Sequence, residues 1–164
     1  MEVKDRSKVW FAVLNVYAAS KQATKRWTKA EKRLKERCVV YHGNRTGCSG
    51  NAMEITFDAC MAGYRKFVAV GGDGTVHDVL NGIAAFIDSS SEYGNDIPFS
   101  DFTLAAIPVG SGNDWIKSID VPKDVAEAVD VLLDGVVGKQ DVVRVSLLDS
   151  RGCEMSRSYM ANIG

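Results

Sequence analysis

Short apolar runs rich in β-branched residues alternate along the chain with longer segments whose apolar residues recur at helical spacing. Residues 9–16 are the first apolar run and read as a buried strand. Residues 21–37 then give a polar helix with Trp27, Ala30, Leu34 and Cys38 on one face. Residues 38–41 read as a second strand, followed by turn formers from Gly43 to Gly50. Residues 51–64 carry Ile55, Ala59 and Ala62 at helical spacing. Residues 67–70 form a third strand and residues 75–87 a helix, with a glycine turn between them. A loop bearing serine, asparagine and glycine spans 88–101, and residues 103–107 make a fourth strand. A short helix starts near Asp114 and a clearer one spans 124–133. Beyond Asp141 the texture changes: residues 142–147 and 153–163 read as two strands of a hairpin, joined by Asp149-Ser150-Arg151-Gly152.

Strands and helices alternating at these lengths predict an α/β fold, a doubly wound and mostly parallel sheet with helices on both faces. Ligands of such sheets sit beyond the carboxyl ends of the strands. Both glycine-rich turns, after the third and fourth strands, fall on that edge and are expected to share one pocket. Residues 1–140 are assigned to this α/β domain and 141–164 to the start of a β-rich domain. A lone hairpin is rarely stable by itself, so the chain reads as a shortened form of a two-domain protein.

Composition narrows the picture modestly. With 164 residues, 46% hydrophobic and 25% charged, the chain is of ordinary soluble, globular make-up. A net charge of −1 gives no reason to invoke nucleic acid. No apolar run reaches the length of a membrane span and no signal peptide opens the sequence, so a cytoplasmic protein is expected. Cys38, Cys48, Cys60 and Cys153 lack Cys-x-x-Cys spacing, and reduced, mostly buried thiols are expected rather than zinc. The helix over 21–37 sets eight basic residues against Glu31 and Glu36. A solvated helix packed through Trp27 and Leu34 accounts for this better than a face for anionic lipid.

The chemistry concentrates in Gly71-Gly72-Asp73-Gly74-Thr75-Val76-His77-Asp78. Glycine can take positive φ and lacks a Cβ, so the backbone can turn sharply and approach a ligand closely. The helix that follows presents its N–H groups and positive dipole end to the same spot, which suits phosphate. Asp73 inside that turn fits a phosphate-bound Mg²⁺ or a proton acceptor. The chain has neither the P-loop pattern nor the spacing of a dinucleotide fingerprint, which disfavours a Rossmann dehydrogenase. His77 is as well explained by a solvated or capping role as by phosphate contact.

Gly71-Gly72-Asp73-Gly74-Thr75, Asn81-Gly82 and Pro108-Val109-Gly110-Ser111-Gly112-Asn113-Asp114 together resemble the diacylglycerol kinase catalytic-domain family. That family includes bacterial lipid kinases and the sphingosine and ceramide kinases. Ser111 stands where the family usually has threonine and Asp78 where it has glutamate, while Asn15-Val16-Tyr17-Ala18-Ala19 replaces an Asn-Pro-x-x-Gly motif. The resemblance implies ATP-dependent phosphorylation of a lipid hydroxyl such as diacylglycerol at the membrane surface, with Mg²⁺ shielding the transferred phosphate.

It further implies nucleotide contacts from Asn15, Thr46, Gly71, Gly72, Asp73, Gly74, Thr75, Val76, His77, Gly110, Ser111 and Gly112, with amides of Gly72, Gly74 and Thr75 as the cradle. Asp73 is the expected catalytic acid and Mg-engaging group, and Asp78, Asn113 and Asp114 shape the acceptor region. The family's base is expected in a second domain lying outside this chain, so the fragment alone is expected to be inactive. A peripheral location at the inner membrane face follows, and the edges of the terminal hairpin offer a route to a homodimer. Two other readings stand beside this one: an NAD or sugar-phosphate kinase relative, and a noncatalytic nucleotide-binding module.

Overall fold

Residues 5–15, 21–37, 41–45, 51–109 and 113–161 are described in the computed structural model of the chain. Four strands, β1 (Trp10–Leu14), β2 (Tyr41–Arg45), β3 (Lys66–Gly71) and β4 (Thr103–Pro108), form one sheet in the order β2-β1-β3-β4. Every neighbouring pair is parallel. The connecting helices are α1 (Lys21–Glu36), α2 (Asn51–Met61), α3 (Asp73–Glu92), the short α4 (Asp114–Ser118) and α5 (Val125–Asp134). A separate antiparallel hairpin, β5 (Val143–Leu148) and β6 (Glu154–Met160), closes the described chain.

The alternation of β3 shows why helices cover both faces. Phe67 and Ala69 pack with α2, α3 and α4 on one side, whereas Val68 and Val70 pack with α1 and α5 on the other. A strand buried on both faces reads as a continuous apolar run, as residues 67–70 do. The doubly wound α/β expectation therefore holds.

Several local expectations are corrected. Within the described residues β2 (Tyr41–Arg45) takes in Gly43, Asn44 and Arg45, which pair with Ala12, Val13 and Leu14. The parallel ladder to β1 outweighs the turn preference of those residues at a sheet edge. Residues 38–40 lie outside the described set. α3 starts at Asp73 and runs through the serines to Glu92, so part of the expected loop is helix. Serine costs only a few tenths of a kcal/mol per helical position, which an established long helix absorbs.

The buried face of α2 is Ala52, Thr56, Ala59 and Cys60, with Ile55 half-buried against the same core and Ala62 exposed beyond the helix end. That face is small-sided because α3 presses against it at Gly82. A Cβ there would lie 2.5 Å from the Met53 carbonyl oxygen and 2.6 Å from Thr56 Cβ. Burial pushes the Cys60 thiol up to about 12, while Cys153 is exposed, so of the two described cysteines the expectation of burial holds for Cys60 and not for Cys153; Cys38 and Cys48 lie outside the described residues.

Three basic side chains of residues 21–37 meet carboxylates at α5, and Lys32 and Lys35 pair with Glu36 and Glu31 of α1 itself. Arg33 makes a forked contact with Asp130 (2.9 and 3.0 Å), Arg37 meets Asp134 (2.6 Å) and Lys29 meets Asp124 (2.6 Å). Trp27, Ala30 and Leu34 are buried beneath them. The helix packs through Trp27, Ala30 and Leu34, and its charge is partly offset by these carboxylates. Among the described residues no helix is long and apolar enough to cross a membrane.

Candidate functional site

In the order β2-β1-β3-β4 the chain leaves β1 for α1 on one face of the sheet and leaves β3 for α3 on the other. The carboxyl ends of β1 and β3 therefore flank a topological switch point, where open α/β sheets have their ligand crevice. Asn15 follows β1 and Gly71 ends β3, and the two ends are joined directly. The Asn15 N–H donates to the Val70 carbonyl at 3.1 Å, and its amide Nδ2 donates to Thr75 Oγ1 at 3.2 Å. Asn15 and Thr75, predicted as contact residues from separate motifs, meet here.

The glycines work differently from the expectation. Neither Gly71, Gly72 nor Gly74 takes positive φ; Gly72 is extended (φ −112°, ψ −166°) and caps α3. What Gly71 supplies is the missing Cβ, which would sit 2.1 Å from Thr75 Oγ1. The strand thus runs straight into the helix, with Thr75 folded back over Gly71. Thr75 is 1% exposed, so its hydroxyl is a buried support beside the crevice rather than an open donor.

The Thr75 and Val76 N–H groups both donate to the Gly72 carbonyl (2.9 and 3.2 Å). Val76 also buries its side chain in the core. The Thr75 amide, expected in the cradle, and the Val76 amide beside it are therefore already engaged within the helix start. Asp73 and Gly74 remain as first-turn donors with no helix carbonyl to receive them. Among the described residues, apart from its own helix backbone and chain neighbours, no atom lies within 4 Å of where a Gly74 Cβ would stand.

Asp73 bridges two elements. Its Oδ2 accepts the Asp114 N–H at 2.7 Å and its Oδ1 accepts the Trp115 N–H at 3.1 Å. A carboxylate from the first turn of α3 thereby caps α4, supplying acceptors for N–H groups that a helix start leaves over. The Val109 N–H donates to the Gly71 carbonyl at 3.1 Å. The chain on either side of 110–112 is thus pinned beside Gly71 and Asp73. Gly110, Ser111 and Gly112 lie outside the described residues, as does Thr46. Asn113 is the N-cap of α4, and Asp114 turns its exposed carboxylate to Lys117 Nζ at 2.6 Å.

Farther along α3, His77 Nε2 lies 2.9 Å from Ser158 Oγ, and its Nδ1 lies 3.6 Å from Asp78 Oδ1. His77 therefore faces the hairpin, and Asp78 lies beside it. Sequence reasoning missed the use made of Asn81, which is 8% exposed and hydrogen-bonded to the backbone of β6. A buried asparagine inside a helix was the available signal, because such a side chain must find partners.

Backbone unobstructed by side chains, a helix start and an open approach at Gly74 are the features phosphate needs. No group of three or more His, Cys, Asp or Glu able to hold a metal occurs among the described residues. Both oxygens of Asp73 already hold α4 N–H groups. Asp73 is thus a brace between the two loops, with one N–H accepted by each carboxylate oxygen.

A doubly wound α/β domain with two loop–helix junctions at its switch point is the class defined by this fold and site. The model of the diacylglycerol kinase catalytic domain matches residues 9–145, and the chain belongs to that family. A diacylglycerol kinase of Bacillus subtilis (strain 168) is 31% identical over 102 residues, covering 62% of this chain and 30% of the relative. One from Staphylococcus epidermidis (strain ATCC 12228 / FDA PCI 1200) is 32% identical over 96 residues, covering 57% and 27%. The crystal structure of a diacylglycerol kinase from Bacillus anthracis str. Sterne superimposes with a TM-score of 0.66 at 24% identity, covering 88% of this chain and 45% of that one. The fold is shared, and the matched region spans less than half the length of these relatives.

Proposed function

We propose that this chain is the nucleotide-binding part of an ATP-dependent kinase that phosphorylates a lipid hydroxyl, with diacylglycerol as the first acceptor to test. The observation that carries the reading is the switch-point crevice itself, where Asn15, Gly71 and the first turn of α3 converge. Family membership supplies the reaction class. Phosphoryl transfer asks the protein mainly for positioning and charge stabilisation, which suits a site made of backbone and helix ends.

In this reading the Asp73 and Gly74 amides receive phosphate oxygens at the positive end of α3. Asn15 and Thr75 keep the β1 and β3 ends at fixed separation. Asp73 holds α4 so that Asn113 and Asp114 border the acceptor side. Mg²⁺ comes with the nucleotide and offsets charge on its phosphates. The base and most acceptor contacts lie beyond residues 1–164, so the chain alone binds nucleotide without turning it over. A homodimer built through the hairpin would use the outer edge of β5, because Asn81 occupies that of β6 at Tyr159.

Two measurements test the reading. Titration of the 164-residue chain with Mg-ATP by calorimetry is expected to show binding. The protein of full natural length, assayed with ATP and diacylglycerol, sphingosine, NAD or fructose 6-phosphate, is expected to label a lipid. Phosphorylation of a water-soluble acceptor alone would overturn the lipid assignment.

A further inference from the structure

Asp73, His77, Asn81 and Asp88 recur on α3 at spacings that place them along one side of the helix. Each reaches a different part of the chain. Asp73 holds the start of α4, His77 meets Ser158, and Asp88 meets Arg157 Nη1 at 3.1 Å. The Tyr159 hydroxyl lies 3.4 Å from both oxygens of Asp88.

Asn81 is the centre of this row. Its Nδ2 donates to the His77 carbonyl (2.8 Å) and the Tyr159 carbonyl (2.9 Å), and its Oδ1 accepts the Tyr159 N–H (2.8 Å). The side-chain amide thus pairs with both backbone groups of one β6 residue, as a neighbouring strand would. One end of the same helix forms the phosphate crevice, and its middle carries the hairpin.

From this we infer that Asn81 is a positioning residue that fixes the β5–β6 hairpin relative to the phosphate-binding end of α3. The inference rests on the kinase reading only for its catalytic consequence; the clasp itself stands on geometry. Other amide chemistry does not replace it. Asn81→Asp can still accept the Tyr159 N–H but has no donor for either carbonyl. Asn81→Ala leaves both Tyr159 backbone groups without the amide, while the His77 carbonyl keeps the helical N–H of residue 81.

Amide hydrogen exchange on the 164-residue chain tests the clasp. In Asn81→Ala and Asn81→Asp the amides of 154–160 are expected to exchange at least tenfold faster, with those of 66–71 within about twofold of wild type. In the full-length kinase the same variants are expected to lower kcat at least tenfold with KM for ATP within about twofold, because the crevice is intact while the hairpin has lost its place. Unchanged exchange in the hairpin overturns the proposal. So does equal loss of protection in 66–71 in both variants, which would make Asn81 a general stability residue. A raised KM for ATP at constant kcat also overturns it. An inactive wild-type enzyme would sink the kinase reading instead, and the exchange measurement would still decide the clasp.

Discussion

Two glycines on one helix are expected to respond to alanine in opposite ways, and the functional one is Gly74. A Cβ there meets no atom of the described residues within 4 Å outside its own turn, so Gly74→Ala introduces no clash among them. Alanine is favoured over glycine in a helix by up to about 1 kcal/mol, and less in a first turn. For a domain of this size that raises Tm by at most roughly 2–4 °C. The added methyl group stands where phosphate would approach the α3 amides, so Mg-ATP affinity is expected to fall at least about tenfold, or ~1.4 kcal/mol. Gly82→Ala gains the same helix preference but forces its Cβ to 2.5 Å from the Met53 carbonyl oxygen, well inside normal contact distance. Overpacking of that kind costs about 1–3 kcal/mol, leaving a net loss of up to about 2 kcal/mol and a Tm lower by up to roughly 8 °C. Differential scanning calorimetry and isothermal titration on the two variants read both effects. A Gly74→Ala chain that keeps its stability and binds Mg-ATP like wild type would refute the placement of phosphate at this helix start.

The sheet was legible because its signals are local. The run over 67–70, the glycines after it and the apolar spacing of Trp27, Ala30 and Leu34 each report their own environment. The contact between Asn15 and Thr75 was partly legible: two motifs named the residues, although nothing in either says that they touch. What was hidden depends on distant partners. Nothing around Asp73 announces that its carboxylate accepts N–H groups from residues some forty positions later. Gly43 to Arg45 carry turn preferences that only pairing with β1 overrides. The basic residues of α1 made sense only once Asp124, Asp130 and Asp134 were placed opposite them. Glycine's two uses, conformational freedom and a missing side chain, are also indistinguishable in sequence, and at Gly71 the second is the one the fold employs.

Asp73→Ala removes the acceptors for two α4 amides, a loss of cap that costs about 0.5–2 kcal/mol. Thermal melts should show a Tm lower by a few degrees with the fold retained, and the full-length enzyme should lose turnover; unchanged melting and turnover would remove the brace. The ion pairs between α1 and α5 predict a pH dependence whose sign follows from the carboxylates. Hydrogen bonding to Arg33 holds the Asp130 carboxyl below its ordinary value of 3.8, and the Lys29 ammonium does the same for Asp124. A depressed folded pKa means that the pair's stabilisation is present above the unfolded value and is lost as pH falls through the folded one. The Tm difference between wild type and Arg33→Gln should therefore be constant from about pH 5 to 8 and vanish once Asp130 is protonated below its ordinary range. If the difference persisted undiminished in strong acid, Arg33 would be acting through the packing of its stem over α5, and not through the Asp130 charge.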